Sequence, residues 1–107
     1  MVGTKTPREI ASELGRDSGR FLLLDVREDD ERLIAQIAPS LHIPMDQIAD
    51  RSDEIPRDRD VVIYCHHGGR SMAVAAYLEG EGFDRLTNLT GGIDAWSRTV
   101  DPKIPRY

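Results

Sequence analysis

The stretch Asp60-Val61-Val62-Ile63-Tyr64-Cys65-His66-His67-Gly68-Gly69-Arg70-Ser71-Met72-Ala73-Val74-Ala75-Ala76-Tyr77-Leu78 constrains the chain more than any other. The run Val61 to Tyr64, all β-branched or aromatic, predicts a strand buried on both faces, as in a parallel sheet covered by helices. Ser71 onward, rich in Ala and Leu, predicts a helix that closes at Gly80 and Gly82. Cys65 to Arg70 must therefore turn from strand to helix. Gly68 and Gly69 let the turn take positive φ and bring several N–H groups toward one point, and the helix directs the positive end of its dipole to the same place. The product is a cup for an anion with a sulfur at its base. A thiol is a nucleophile only as thiolate, and a helix N-terminus with Arg70 and two imidazoles nearby lowers its pKa from about 8.5. Cys65 is the candidate nucleophile, and His66, His67, Gly68, Gly69, Arg70 and Ser71 are the candidate substrate-binding loop.

Strands and helices alternate through the rest of the chain. Thr6-Pro7-Arg8-Glu9 is a capping box with proline set for the first helical position; Ile10, Ala11 and Leu14 share a face, and Gly15 is the predicted stop. Phe21 to Val26 predicts a second buried strand with Asp25 and Arg27 near its carboxyl end, where open α/β sheets gather functional groups. These two are expected to form a supporting pair under the loop. Glu28 to Arg32 open a short acidic helix, with Leu33, Ile34 and Ile37 as its buried side. Leu41-His42-Ile43-Pro44 predicts a short strand, with His42 structural, and Met45 to Ile55 a helix from an Asp46 cap. Leu86-Thr87-Asn88-Leu89 predicts a fourth strand, Gly91-Gly92 leads into a helical segment that puts Trp96 in the core, and the proline-bearing tail wraps the surface. The fold class is α/β: a three-layer domain with a mostly parallel central sheet flanked by helices. It forms one domain over 1–107, with its core about 6–98 and a tail over 99–107.

Composition narrows the partners. A net charge of −5 over 107 residues argues against nucleic acid and against an anionic membrane surface. No apolar run approaches the roughly 20 residues of a membrane span, and Met1-Val2-Gly3-Thr4-Lys5 lacks the apolar core of a signal peptide, so a cytoplasmic location is expected. The single cysteine forms no internal disulfide and no Cys-only zinc site, which suits a reducing compartment. Cys65, His66 and His67 are adjacent and do not converge easily on one ion, so neither metal nor cofactor is expected.

Three motifs, Leu23-Leu24-Asp25-Val26-Arg27-Glu28, Val62 to Ser71 with Ala73 and Ala76 beyond, and Leu89-Thr90-Gly91-Gly92-Ile93-Asp94-Ala95-Trp96, together resemble the rhodanese-like sulfurtransferases in their single-domain form. The resemblance implies a thiosulfate sulfurtransferase in which Cys65 takes up a sulfane sulfur from thiosulfate or a persulfide donor. Amides from His66 to Ser71 then cradle the outer sulfur, and Arg70 holds the anionic donor or shapes the loop. With no resolving cysteine, the acceptor is an external thiol or a sulfur-acceptor protein. Phosphatase and arsenate reductase relatives carry a loop one residue longer, and this one has no Asp or Glu to act as general acid. A non-catalytic rhodanese-like binding or regulatory module is the first alternative, and a phosphatase or arsenate reductase type of relative the lesser one. Relatives commonly carry Gly-His where Ala35-Gln36 stand before Ile37, a departure at the periphery. The ending through Pro102 and Pro105 resembles rhodanese domains fused to enzymes that activate sulfur-carrier proteins.

Overall fold

The apolar run Val61 to Tyr64 is the middle of the sheet, as its continuity requires. In the computed structural model, which describes residues 2–107 apart from the side chain of Ser18, strand β4 (Asp60–Tyr64) lies between β2 (Phe21–Asp25) and β5 (Leu86–Leu89). Beyond β2 is the edge strand β3 (Leu41–His42), and beyond β5 the edge strand β1 (Gly3–Lys5). Met1, the first residue of the expected domain, lies outside the described residues. Every pairing among these strands is parallel, so the expected mostly parallel sheet is parallel throughout.

Side chains alternate across a strand, and β4 therefore feeds two cores. Val61, Ile63 and Cys65 join Ile48, Val74, Leu78 and Phe83 on one face, under α3 (Ile48–Arg51) and α4 (Gly69–Gly80). Val62 and Tyr64 join Ile10, Leu23, Ile93 and Trp96 on the other, under α1 (Pro7–Arg16) and α5 (Gly92–Thr99). This is the predicted three-layer arrangement. The Thr6 capping box forms, with Thr6 Oγ1 accepting from Glu9 N at 3.2 Å and Glu9 Oε1 accepting from Thr6 N at 3.0 Å. From β2 the chain moves outward to β3, and from β4 it moves the opposite way to β5. The carboxyl ends of β2 and β4 thus flank a switch point, where ligands bind in parallel sheets.

Four local expectations are corrected. A fifth strand, β1, exists: its three residues pair with Thr87 to Leu89 at a sheet edge, and a partly exposed Gly-Thr-Lys carries no hydrophobic pattern to reveal it. Helix α4 begins at Gly69, two residues ahead of Ser71, because Gly68 at φ 118° caps it directly after the turn. Met45 to Ile55 is a 3₁₀ turn at Met45–Gln47, the short α3, and a second 3₁₀ turn at Ser52–Glu54, bent so that both Ile48 and Ile55 are buried. Finally, α2 (Asp29–Ile34) buries none of its residues, and Leu33 and Ile34 are 89% and 49% exposed. Its inward contacts are polar ones, made by Glu31 and Arg32; of the three expected apolar residues only Ile37, beyond the helix, is buried.

Candidate active site

Cys65 is the first residue after β4, and the backbone folds back over its sulfur. Sγ accepts from the amide of Gly68 at 3.0 Å and from that of Ser71 at 3.4 Å, and lies 3.4 Å from the Ser71 hydroxyl. The side chain is 1% exposed, which on its own pushes the thiol pKa up. The Ser71 hydroxyl and the amides of Ser71, Gly68 and Arg70 outweigh burial and leave the pKa below its ordinary value. The sulfur is therefore held by oriented dipoles at the N-terminus of a 12-residue helix.

The loop is fixed from behind by α5. Ile93 N donates to Cys65 O at 2.9 Å and Asp94 N to His66 O at 3.1 Å, so the first two carbonyls of the loop face that helix, away from the sulfur. Gly92, at φ 60°, makes the approach possible, since a Cβ there would run into the carbonyl oxygens of Cys65 and His66. Ser71 is held in turn by Asn88 of β5, whose Oδ1 accepts from the serine hydroxyl and whose Nδ2 donates to Gly68 O at 3.4 Å. The hydroxyl has a single proton, which it can aim at Asn88 Oδ1, at Gly68 O or at a thiolate on Cys65.

Beside the loop, at the carboxyl end of β2, lies a closed ionic network. Asp25 and Arg27 are fully buried and bonded twice, Nε to Oδ1 at 2.9 Å and Nη2 to Oδ2 at 2.7 Å. Tyr64 donates to Asp25 Oδ2 at 3.1 Å, and Arg27 Nη2 donates to Ala35 O at 2.6 Å. Burial opposes both charges, but the mutual bonds hold the Asp25 carboxyl below the usual carboxylate range and Arg27 above its usual value. The two side chains satisfy each other as a pair, and the pair leaves no acid facing the sulfur.

Of the loop's side chains, those of Arg70, His66 and His67 are turned away from the sulfur. Arg70 grips Glu31 with Nη1 to Oε1 at 2.6 Å and Nη2 to Oε2 at 2.8 Å, which holds the Glu31 carboxyl down to about 2. It is the backbone of Arg70 that faces the cysteine. His66 stacks on Tyr107 with ring centroids 3.9 Å apart and planes 7° from parallel, and exposed His67 has Nδ1 4.0 Å from Asp94 Oδ2. His42 Nε2 is 2.7 Å from Arg27 O, the structural role expected of it. The structure thus gathers Cys65, Gly68, Ser71 and the Arg70 backbone around the sulfur, sets Asp25 and Arg27 beside them, and leaves both histidines at the mouth. Asn88, Glu31 and Tyr107 join the site without having been singled out in the sequence. For Asn88 a signal existed: a lone amide inside the apolar strand Leu86-Thr87-Asn88-Leu89 needs a buried partner.

The family profile described as a rhodanese-like domain matches residues 6–99. The chain belongs to the rhodanese-like family. A sulfurtransferase of Allochromatium vinosum is 46% identical over 90 residues, covering 84% of either chain. The thiosulfate sulfurtransferase GlpE of Coxiella burnetii is 33% identical over 76 residues, 71% of either chain. The probable adenylyltransferase/sulfurtransferase MoeZ of Mycobacterium tuberculosis is 38% identical over 107 residues, 97% of this chain but 27% of the relative. Among solved structures, a rhodanese-like domain protein from Staphylococcus aureus superposes with a TM-score of 0.83 at 31% identity, covering 98% of both chains. Among the described residues of this rhodanese-like domain, no helix is long and apolar enough to cross a membrane, and no group of three or more His, Cys, Asp or Glu is placed to hold a metal ion.

Proposed function

We propose that this rhodanese-like domain transfers a sulfane sulfur through a persulfide on Cys65. The observation that carries the reading is the convergence of N–H donors and one hydroxyl on a single sulfur at a helix N-terminus. Donors so arranged stabilise an anionic sulfur without having to reorganise. In the first step the Cys65 thiolate attacks the outer sulfur of thiosulfate; the new S–S bond forms as the sulfur–sulfur bond of the donor breaks, and sulfite leaves with the bonding pair. In the second, a thiolate acceptor or cyanide attacks the terminal sulfur of the persulfide, and the Cys65 thiolate departs. A persulfide donor serves the first step equally, releasing its thiolate in place of sulfite. Cys65 is the only cysteine, so no second thiol of this chain can resolve the persulfide, and the acceptor is an external thiol or a sulfur-acceptor protein. Such a cycle needs a reduced thiol, which fits a cytoplasmic setting.

Mass spectrometry after incubation with thiosulfate is expected to find one added sulfur on Cys65, removed again by cyanide with formation of thiocyanate. Cys65→Ser is expected to abolish both adduct and product while melting at the wild-type temperature. A wild-type protein that takes no sulfur from thiosulfate or from a persulfide donor would sink the proposal and leave a binding module on the same fold. Product formation by Cys65→Ser above background would remove the cysteine from the chemistry.

A further inference from the structure

The tail beyond α5 does more than cover surface. Ile104 packs on the core that contains Trp96, and Ser97 Oγ donates to Ile104 O, so the chain is anchored there. Pro105 follows, and the next two residues reach the mouth of the loop. Arg106 Nε pairs with Asp94 Oδ1 at 3.0 Å. Tyr107 lays its ring on His66, the residue after the cysteine, and places its hydroxyl between Arg27 Nη1 and Glu31 Oε2, 2.8 Å from each. Glu31 is the carboxylate that grips Arg70. Tyr107 thus touches both ends of the cysteine loop, one directly and the other through Glu31. Cys65, the residue before His66, is 1% exposed and packs on the core with Val74.

We propose that residues 101–107 form a strap that closes over the cysteine loop and that Tyr107 is a specificity-determining residue. By stacking on His66 it shields the thiol, and by orienting Glu31 it keeps Arg70, the one fixed cation of the loop, occupied against small anions. The proposal rests on the reading of Cys65 as the reacting thiol. The anchor at Ile104 is apolar, whereas Arg106 and Tyr107 are exposed and held by polar contacts and one ring stack, so this segment opens more readily than the anchor behind it. A donor or acceptor borne on another molecule gains access by displacing Tyr107. A free anion must also compete with Glu31 for Arg70.

The test is the rate at which Cys65 is alkylated by neutral iodoacetamide and by anionic iodoacetate, followed by mass spectrometry on the intact protein. Tyr107→Ala is expected to raise the iodoacetamide rate about tenfold as the strap's resting closure is lost. It is also expected to raise the iodoacetate-to-iodoacetamide ratio about threefold or more as Arg70 is freed to steer anions. Tyr107→Phe keeps the ring and loses the hydroxyl bridge, so the iodoacetamide rate should stay near wild type while the ratio rises. Glu31→Gln should raise the ratio further. A Tyr107→Ala protein alkylated at the wild-type rate by both reagents overturns the strap. Acceleration of both reagents with an unchanged ratio in Tyr107→Ala, Tyr107→Phe and Glu31→Gln overturns the specificity role. The underlying chemistry fails separately: if alkylation responds as expected but neither wild type nor Tyr107→Ala takes sulfur from thiosulfate, the strap stands and the transfer reading falls. Sulfur uptake by a wild type whose alkylation ignores Tyr107 gives the reverse.

Discussion

The carboxyl ends of β2 and β4 carry two polar assemblies built on opposite principles. At the end of β2, opposite full charges are buried and matched: each Asp25 oxygen is bonded to Arg27, and Tyr64 and Arg32 add donors to Oδ2. At the end of β4, no full charge faces the sulfur, and Gly68, Ser71 and Arg70 supply backbone dipoles instead. The matched pair is satisfied in the folded state and has nothing left to offer a ligand. The dipoles are underused by a neutral thiol and come into full use only when the sulfur is negative. One assembly is a frame closed on itself, and the other keeps donors that a negative sulfur would use more fully.

The frame should fail most heavily when one partner is removed. Arg27→Met leaves buried Asp25 with only the longer Arg32 contact as its cation and frees Ala35 O, and breaking such a buried pair costs about 3–5 kcal/mol. Urea denaturation should show that loss. Asp25→Leu combined with Arg27→Met should recover part of it, because the uncompensated charge is gone. If the single variant loses no more than a surface pair would, the two ends of the sheet are not organised differently and the comparison falls.

A smaller effect is expected at the other end, and on the thiol rather than on stability. Ser71→Ala removes the one side-chain donor near Sγ and strands Asn88 Oδ1. Burial of the thiol, which already works against ionisation, then meets less opposition, and the Cys65 pKa should rise from its lowered position. The pH dependence of iodoacetamide alkylation reads that shift directly. A titration unchanged in Ser71→Ala would show that the amides alone hold the thiolate.

The contrast also separates what the sequence makes legible from what it does not. The strand, glycine turn and Ala-rich helix around Cys65 are written in consecutive residues, as is the Thr6 capping box, because each follows from local backbone preference. Asn88, Glu31 and Tyr107 enter the site through tertiary contacts. Glu31 meets Arg70 from 39 residues away and Tyr107 from 76. In the sequence Glu31 is one of several acids at a helix start and reads as solvated. The apolar face assigned to α2 fails for the same reason: a six-residue helix is oriented by what lies beneath it, and beneath it lie Asp25 and Arg70, which call for Glu31 and Arg32.

Glu31 joins the rim of one assembly to the mouth of the other, and its titration gives the smallest effect. Arg70 holds its carboxyl down to about 2, with further bonds from the Glu28 amide and the Tyr107 hydroxyl, against an ordinary value of about 4.3 in an unfolded chain. A group whose pKa is depressed by folding contributes stability that is complete above its unfolded pKa and is lost as the pH falls toward its folded one. The wild type should therefore exceed Glu31→Gln by on the order of 1 kcal/mol near neutrality, a small figure because Arg70 is partly exposed and water screens the pair. The excess should shrink steadily from about pH 5 to pH 2. Urea midpoints of the two proteins across that range measure it. An excess that stays level or grows on acidification would mean that Glu31 does not carry its charge into the folded state through Arg70, and the link between the rim and the mouth would have to be sought in the Tyr107 hydroxyl alone.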